Sequence, residues 1–116
     1  NYFFRLKNYK EALQQHIQQH PNFIQPAFRA QEVLNWLEEL EDISVSRSKY
    51  SVDWGIPVPD DPDQRIYVWI DALSNYLTGV GYLHNNEQFN TFWPCDVHII
   101  GKDILRFHAI YWPAML

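Results

Sequence analysis

Two short apolar runs, each followed directly by a helix-like pattern, constrain the fold of this chain most strongly. One is IYVWI at residues 66–70, which leads into a helical pattern over residues 72–80. The other lies at residues 97–100, breaks at Gly101, and is followed by a helical pattern that continues to Leu116. An apolar run too short for a helix is typical of a central parallel strand that is buried on both faces. The order of elements predicts an α/β fold, half of a doubly wound parallel sheet preceded by helices.

The remaining elements follow from periodicity and from helix-breaking residues. Over residues 8–20 apolar side chains recur at every fourth position until Pro21, which predicts an amphipathic helix. A second such helix is predicted over residues 27–40. Residues 56–63 contain three prolines and predict an extended loop, and residues 84–92 predict a polar loop or a short helix.

Composition excludes several classes of protein. The net charge of −5 gives the surface no general attraction for nucleic acid. Cys95 is the single cysteine, so no disulfide and no zinc knuckle can form within the chain, and a packing role in a reducing compartment is expected for it. His16 and His20 are four residues apart on a predicted helix, but without a third ligand they are more simply solvated polar groups. No apolar run approaches the roughly 20 residues needed to span a bilayer.

The two ends of the sequence predict a segment of a longer protein. The chain opens at Asn1 without an initiator methionine. It stops at Leu116 inside a helix-like pattern that has no polar or glycine stop signal.

Polar residues stand where each predicted strand ends, which is where parallel sheets bind ligands. Asp71 follows the first strand and is expected to cap the next helix. At the end of the second predicted strand, Gly101 would let a ligand approach the backbone closely. Asp103 could accept two hydroxyl hydrogen bonds from a ribose, and the charge of Lys102 suits a phosphate. The same spacing fits an N-cap role for Asp103 and a solvated Lys102 equally well.

A pocket is predicted from side chains that have apolar bodies and polar tips. Ala72 and Tyr76 are four apart on one helix, and Ile104 and His108 are four apart on the other. If these helices are neighbours, the four residues and Trp69 line an apolar pocket with a few hydrogen-bonding tips. The alternative is ordinary core packing, in which His108 is hydrogen bonded to Tyr76 or to a carbonyl.

Five segments carry a resemblance to a known family, and together they cover nearly the whole chain. They are NYFFRL, LEDISVSR, WGIPVP, IYVWIDALSNYLTGVGY and HIIGKDILRFHAIYWPAML. In this order they resemble the methionyl-tRNA synthetases, which are class I aminoacyl-tRNA synthetases, and in particular the bacterial and mitochondrial branch. The resemblance implies an enzyme, a methionine–tRNA ligase. It would use ATP with Mg²⁺ to form methionyl-adenylate and would then transfer methionine to tRNA(Met).

The resemblance also implies roles for individual residues. The methionine side chain would be bound by Trp69, Ala72, Leu73, Tyr76, Ile104 and His108. ATP would be bound by Gly101, Lys102 and Asp103. Arg47 and Lys102 would act in catalysis, since Arg47 matches an arginine implicated in methionine activation and Lys102 would lie near the phosphates. No zinc site and no membrane partner are implied for this chain.

The sequence departs from the family pattern because it contains neither the HIGH nor the KMSKS signature. These signatures stabilise the reacting triphosphate, so the 116 residues alone are expected to be inactive. Residues 1–47 would end the connective insertion, and residues 48–116 would begin the second half of the Rossmann-like catalytic domain. Two alternatives stay open: a non-catalytic Rossmann-like binding module and another class I aminoacyl-tRNA synthetase. The compartment would be the mitochondrial matrix, which is slightly favoured, or the bacterial cytoplasm.

Overall fold

The computed structural model describes residues 1–116, which form a mixture of helices and short strands. The strands are β1 (Phe3–Phe4), β2 (Ile43–Ser44), β3 (Ser46–Ser48), β4 (Pro57–Val58) and β5 (Asp61–Ile66). The α-helices are α1 (Lys10–Gln19), α2 (Phe28–Glu38), α3 (Val68–Thr78), α4 (Asn86–Phe92) and α5 (Trp112–Met115). Turns of 3₁₀-helix lie at Leu6–Tyr9 and Lys102–Ile104, and a π-helical turn lies at Phe107–Tyr111. None of the helices has both the length and the apolar character that crossing a membrane requires.

Helices α1 and α2 confirm the two amphipathic helices that periodicity predicts, within two residues at each end. Their apolar faces share one core with the C-terminal helical stretch. The buried members of that core are Leu6, Leu13, Ile17, Ile24, Val33, Leu37, Leu40, Ala109, Ile110 and Ala114. The C-terminal stretch, which carries half of the predicted site, is therefore held in place by α1 and α2.

The two sheets are antiparallel. Strand β1 pairs with β2, and β5 lies between β3 and β4, with Ser46 opposite Ile66. The predicted parallel strand over residues 66–70 is wrong, because Ile66 ends the antiparallel strand β5 and residues 68–70 are helical. Residues 97–100 pair with no strand within these 116 residues.

The first strand-to-helix corner exists, but it lies about four residues earlier than predicted. Strand β5 ends at Ile66, Tyr67 is extended (φ −63°, ψ 131°), and α3 already begins at Val68. The run IYVWI is therefore mostly helical, since its apolar residues continue into the helical period of the residues that follow. Asp71 is not the N-cap as predicted. It lies in the first turn of α3, where a carboxylate still interacts favourably with the helix dipole.

The proline-rich segment is a hairpin rather than a loop. Val58 and Asp61 face each other across a two-residue turn, and β4 and β5 form its arms. Asp60 adopts a left-handed conformation (φ 62°), which aspartate tolerates better than most residues. The proline at position 57 fits because β4 is an edge strand, where a missing N–H leaves no ladder bond unmade.

The second corner has its helix but not its strand. Residues 97–100 form no strand pairing within the chain, and Ile99 is 96% exposed. A strand is defined by the hydrogen bonds that it exchanges with a neighbour, and no neighbour is present among these residues. The turn at Gly101 into a helical stretch over residues 102–115 is confirmed. The short helix predicted as one option within residues 84–92 is also confirmed, as α4.

Candidate active site

Helix α3 and the C-terminal helical stretch lie side by side, so the two predicted sets of pocket residues meet. The Tyr76 hydroxyl oxygen is 2.6 Å from His108 Nε2. The Trp69 ring lies edge-on to the His108 ring, with 6.5 Å between their centroids. The indole and the imidazole therefore face the same space, as the spacing of the residues predicts.

The direction of the hydrogen bonds at His108 follows from chemistry. His108 Nδ1 is 2.9 Å from the carbonyl oxygen of Ile104, and a carbonyl can only accept, so Nδ1 carries the proton. In the neutral ring, Nε2 is then an acceptor, and the Tyr76 hydroxyl donates to it. His108 is only 8% exposed, so both bonds are shielded from water. The two partners that the core-packing alternative expects for His108 are thus both present.

The other predicted pocket residues differ in how deeply they are buried. Leu73 on α3 is fully buried, with 1% of its surface exposed. Trp69, Ala72 and Ile104 are half-buried. A half-buried apolar surface beside a fully bonded polar tip is the composition expected of a small-molecule pocket.

Three further residues belong to this cluster, although the sequence reasoning did not select them. Phe107 stacks on Trp69 with 3.9 Å between ring centroids, and Trp112 lies 5.8 Å from Tyr76. His98 packs against Tyr76 at 4.4 Å. Trp112 could have been found, because it is four residues after His108. Phe107 and His98 carry no such signal, since their contacts cross between elements distant in the sequence.

The π-helical turn at Phe107–Tyr111 explains how neighbouring residues serve one site. In an α-helix, consecutive side chains point about 100° apart around the helix axis. The wider π-helical turn changes this angle over its own residues. Here Phe107 and His108 both contact α3 side chains. Pro113 follows the turn and has no N–H for the Ala109 carbonyl, so a regular α-helix could not continue through this position without losing a bond.

The predicted nucleotide residues lie at the start of the same helical stretch. Gly101, Lys102 and Asp103 are all exposed. Asp103 caps no helix, because the N-cap position is Gly101 and no side-chain cap bond is made there. The N-cap alternative for Asp103 is therefore wrong, and its carboxylate is open to a ligand. A Cβ added to Gly101 would meet no atom within 4 Å, so the space above this backbone is open.

Arg47 lies on β3, apart from the other candidates. Its Nη1 donates to the carbonyl oxygens of Ser44 (3.1 Å) and Ser46 (2.8 Å). Its guanidinium also lies over the Tyr67 ring at 4.2 Å, and Tyr67 is the residue directly before α3. The structure thus places Arg47 near the beginning of α3, and no hydrogen bond or ion pair joins it to Lys102 or Asp103.

Two cavities adjoin the polar tips of the pocket. The larger, of about 430 Å³, lies between α1 and the residues that follow α4, and His108 and Trp112 are among its walls. The smaller, of about 280 Å³, is bordered by Tyr76. Trp69, Ala72 and Ile104 line neither cavity, so both empty volumes lie behind the predicted methionine pocket.

His98 borders both cavities, and its pKa is shifted from the ordinary value. Burial, and then the repulsion that a protonated His108 would exert, lower the pKa of His98 below its ordinary value of 6.5. His98 is therefore neutral at physiological pH.

The rings of His16 and His20 stack on α1 with 4.4 Å between their centroids. No cluster of three metal-binding side chains is present.

Cys95 is exposed, so the packing role expected for it is wrong. Its thiol donates to the carbonyl oxygen of Val97 (3.1 Å).

Comparison with known proteins gives consistent matches. The profile of the family described as tRNA synthetases class I (M) matches residues 1–116. The methionine–tRNA ligase of Thermotoga maritima is 51% identical over 117 residues, which cover 100% of this chain and 18% of that protein. The methionine–tRNA ligase of Streptomyces coelicolor is 55% identical, with 100% and 21% covered. A crystal structure of Mycobacterium tuberculosis methionyl-tRNA synthetase bound by methionyl-adenylate matches with a TM-score of 0.92 and 51% identity, over 100% of this chain and 23% of that one.

Two conclusions follow from these matches. The chain spans about a fifth of the length of the curated relatives that it matches. The α/β fold of a class I synthetase, which the resemblance implies, is confirmed by the structural match over the whole chain.

Proposed function

Because the chain belongs to the family of class I methionyl-tRNA synthetases, we propose that the protein carrying it activates methionine with ATP and transfers it to tRNA(Met). The observation that carries this proposal is the hydrogen-bonded pair of Tyr76 and His108, held between α3 and the C-terminal helical stretch beside half-buried apolar walls. A thioether side chain needs apolar contact and few polar partners. This pocket offers that combination.

The direction of the bonds at His108 supports selection of an uncharged side chain. The Tyr76 hydrogen is donated to His108, and the His108 Nδ1 hydrogen is donated to Ile104. Neither polar tip has a spare proton for a charged carboxylate, and neither carries a negative charge for an ammonium group. A charged side chain in this pocket would lose its hydration without compensation, which costs several kcal/mol. The neutral methionine side chain carries no such penalty.

The exposed residues at the start of the C-terminal helical stretch supply the nucleotide half of the proposal. We assign the ribose to the carboxylate of Asp103, close backbone approach to Gly101, and the phosphates to Lys102. Mg²⁺ would accompany ATP and share the neutralisation of its phosphates. Arg47 would add a further positive charge, because preorganised charge around the reacting phosphate stabilises the transition state.

The partition of the chain and its cellular setting are also proposals. We assign residues 1–47 to the end of the connective insertion and residues 48–116 to the second half of the catalytic domain, with tRNA(Met) as a partner of the whole protein. The boundary falls within β3, and the core of α1 and α2 extends to Ala109 and Ile110, so the two parts pack as one unit. The relatives named above are bacterial, which supports the bacterial cytoplasm over the mitochondrial matrix.

The proposal is tested by methionine-dependent exchange of pyrophosphate into ATP, measured on the whole protein. His108→Ala should raise the KM for methionine by about five- to 150-fold, as expected for the loss of a pocket contact of about 1–3 kcal/mol. The KM for ATP should stay the same. Exchange that depends on leucine, isoleucine or valine instead would indicate another class I synthetase. No amino-acid-dependent exchange at all would favour a binding module without catalysis.

A further inference from the structure

His98 is the one titratable side chain of the pocket cluster that the proposed function leaves without a role. It lies three residues before Gly101, on the segment that leads into the nucleotide residues. Its ring centroid is 4.4 Å from that of Tyr76 and 5.8 Å from that of His108. It therefore stands directly behind the hydrogen-bonded pair.

The position of the Tyr76 ring depends on its aromatic neighbours. His98 is the nearest of them at 4.4 Å, while His108 lies at 5.5 Å and Trp112 at 5.8 Å. His98 also borders both cavities, together with Trp93 and Cys95. Without that ring, Tyr76 would lose its nearest aromatic neighbour and could turn away from His108.

We propose that His98 is a positioning residue, whose ring holds Tyr76 in the orientation that brings its hydroxyl to His108. The inference rests on the proposed function, because Tyr76 and His108 are taken to face bound methionine. His98 does not touch methionine in this scheme. It acts through Tyr76, so its loss should affect methionine affinity more than the chemical step.

The surroundings of His98 make this role dependent on its charge. The titratable side chains that face it are Tyr76 from α3, His108 from the C-terminal helical stretch, and Cys95 on its own segment. Across the larger cavity lie His16 of α1 and Tyr9, which directly precedes that helix. No Asp, Glu, Lys or Arg side chain lines either cavity.

An imidazolium in this place would have no carboxylate partner. Burial, and the repulsion that a protonated His108 would exert, accordingly lower the pKa of His98. Acidification should drive a charged His98 ring towards water and release Tyr76. Because the pKa of His98 is lowered, methionine affinity should then fall only at a pH below about 6.5, the ordinary pKa of histidine.

The experiment compares His98→Ala with His98→Phe in the whole protein, with His16→Phe as the matched control. His16 also borders the larger cavity, but its ring packs against Phe23 and His20. The readouts are KM for methionine and for ATP, and kcat for pyrophosphate exchange, each between pH 5.5 and 7.5. Circular dichroism verifies that each variant is folded.

At pH 7.5, His98→Ala should raise the methionine KM about three- to tenfold, the equivalent of one lost aromatic pair. Its kcat and its ATP KM should stay close to the wild-type values. His98→Phe should restore the methionine KM, because an aromatic ring again supports Tyr76. It should also reduce the rise in methionine KM at acidic pH, which His16→Phe should retain in full.

Two results would overturn the inference while leaving the proposed function intact. One is a folded His98→Ala variant with wild-type methionine KM at pH 7.5. The other is a His98→Phe variant whose methionine KM still rises at acidic pH as in the wild type. Failure of the proposed function is recognised separately, because the wild-type protein would then show no methionine-dependent exchange at any pH.

Discussion

The most informative single change is Tyr76→Phe, which removes one oxygen atom from the pocket. The Tyr76 hydroxyl donates to His108 Nε2 at 2.6 Å, and the Nδ1 atom of the same ring is committed to Ile104. Phenylalanine keeps the ring between its aromatic neighbours but leaves Nε2 without a donor. Because His108 is 8% exposed, that acceptor becomes a buried polar atom without a protein partner.

The magnitude follows from what replaces the lost hydroxyl. A buried acceptor left without a partner costs about 1–3 kcal/mol. The smaller cavity borders Tyr76, so a water molecule can enter and replace part of the lost bond. The cost should therefore lie in the lower part of that range, at about 1–2 kcal/mol. In the proposed function methionine binds the arrangement that this bond fixes, so the same free energy becomes a loss of methionine affinity of roughly five- to thirtyfold.

The assay is methionine-dependent pyrophosphate exchange by the whole protein, with KM for methionine and ATP measured separately. Tyr82→Phe is the matched control, since the Tyr82 ring packs against Phe89 instead of the pocket cluster. The double variant with His108→Ala should cost less than the sum of the two single changes, because each removes the same bond. A folded Tyr76→Phe variant with wild-type methionine KM, or full additivity with His108→Ala, would refute the assigned direction and role of this bond.

Three further predictions concern the nucleotide residues and pH. Asp103→Ala should raise the KM for ATP and leave the KM for methionine unchanged, because the exposed Asp103 carboxylate makes no side-chain cap bond. A selective loss of methionine affinity would show that Asp103 binds methionine and not ATP. Gly101→Ala should leave thermal unfolding unchanged, since φ is −72° and a Cβ would meet no atom within 4 Å, yet it should raise the ATP KM; an unchanged ATP KM would argue against close backbone approach. The lowered pKa of His98 means that the unfolded chain binds a proton at this residue more readily than the folded chain does, so the free energy of unfolding should fall as the pH drops below about 6.5. Urea unfolding at pH 7.5 and 5.5 should show a smaller decrease in the free energy of unfolding for His98→Phe than for the wild type.

The helices could be predicted from the sequence because their signal is local. In α1 the buried positions Leu13 and Ile17 recur at the helical period, and Pro21 ends the pattern. In α2, Val33 and Leu37 do the same. An amphipathic helix makes all of its backbone bonds within itself, so only the identity of the neighbour had to come from the structure.

The strands were harder because their hydrogen bonds lie between segments. The run IYVWI has no period of its own, and only the structure shows that the strand ends at Ile66 and the helix begins at Val68. Residues 97–100 have an equally apolar sequence, yet they pair with no strand in this chain. An apolar run indicates that a segment is buried by some neighbour, but it does not identify the strand with which the segment pairs.

The site residues follow the same division. Spacing of four residues places Ala72 with Tyr76 and Ile104 with His108, and the structure brings these two helical faces together. His98 and Phe107 could not be found in this way. Their contacts arise from the π-helical turn and from the path of an irregular segment, neither of which has a residue period.

Core packing and substrate binding are not exclusive readings of His108. Its two hydrogen bonds are the ones expected of a buried core histidine, and the same bonds fix its tautomer and orientation, as a binding residue requires. The distinction lies in the surroundings. A core histidine is enclosed on every side, whereas Trp69 and Ile104 remain half-exposed beside this one. A fully bonded polar pair beside half-exposed apolar walls leaves contacts open, which bound methionine and the rest of the whole protein would complete in the proposed function.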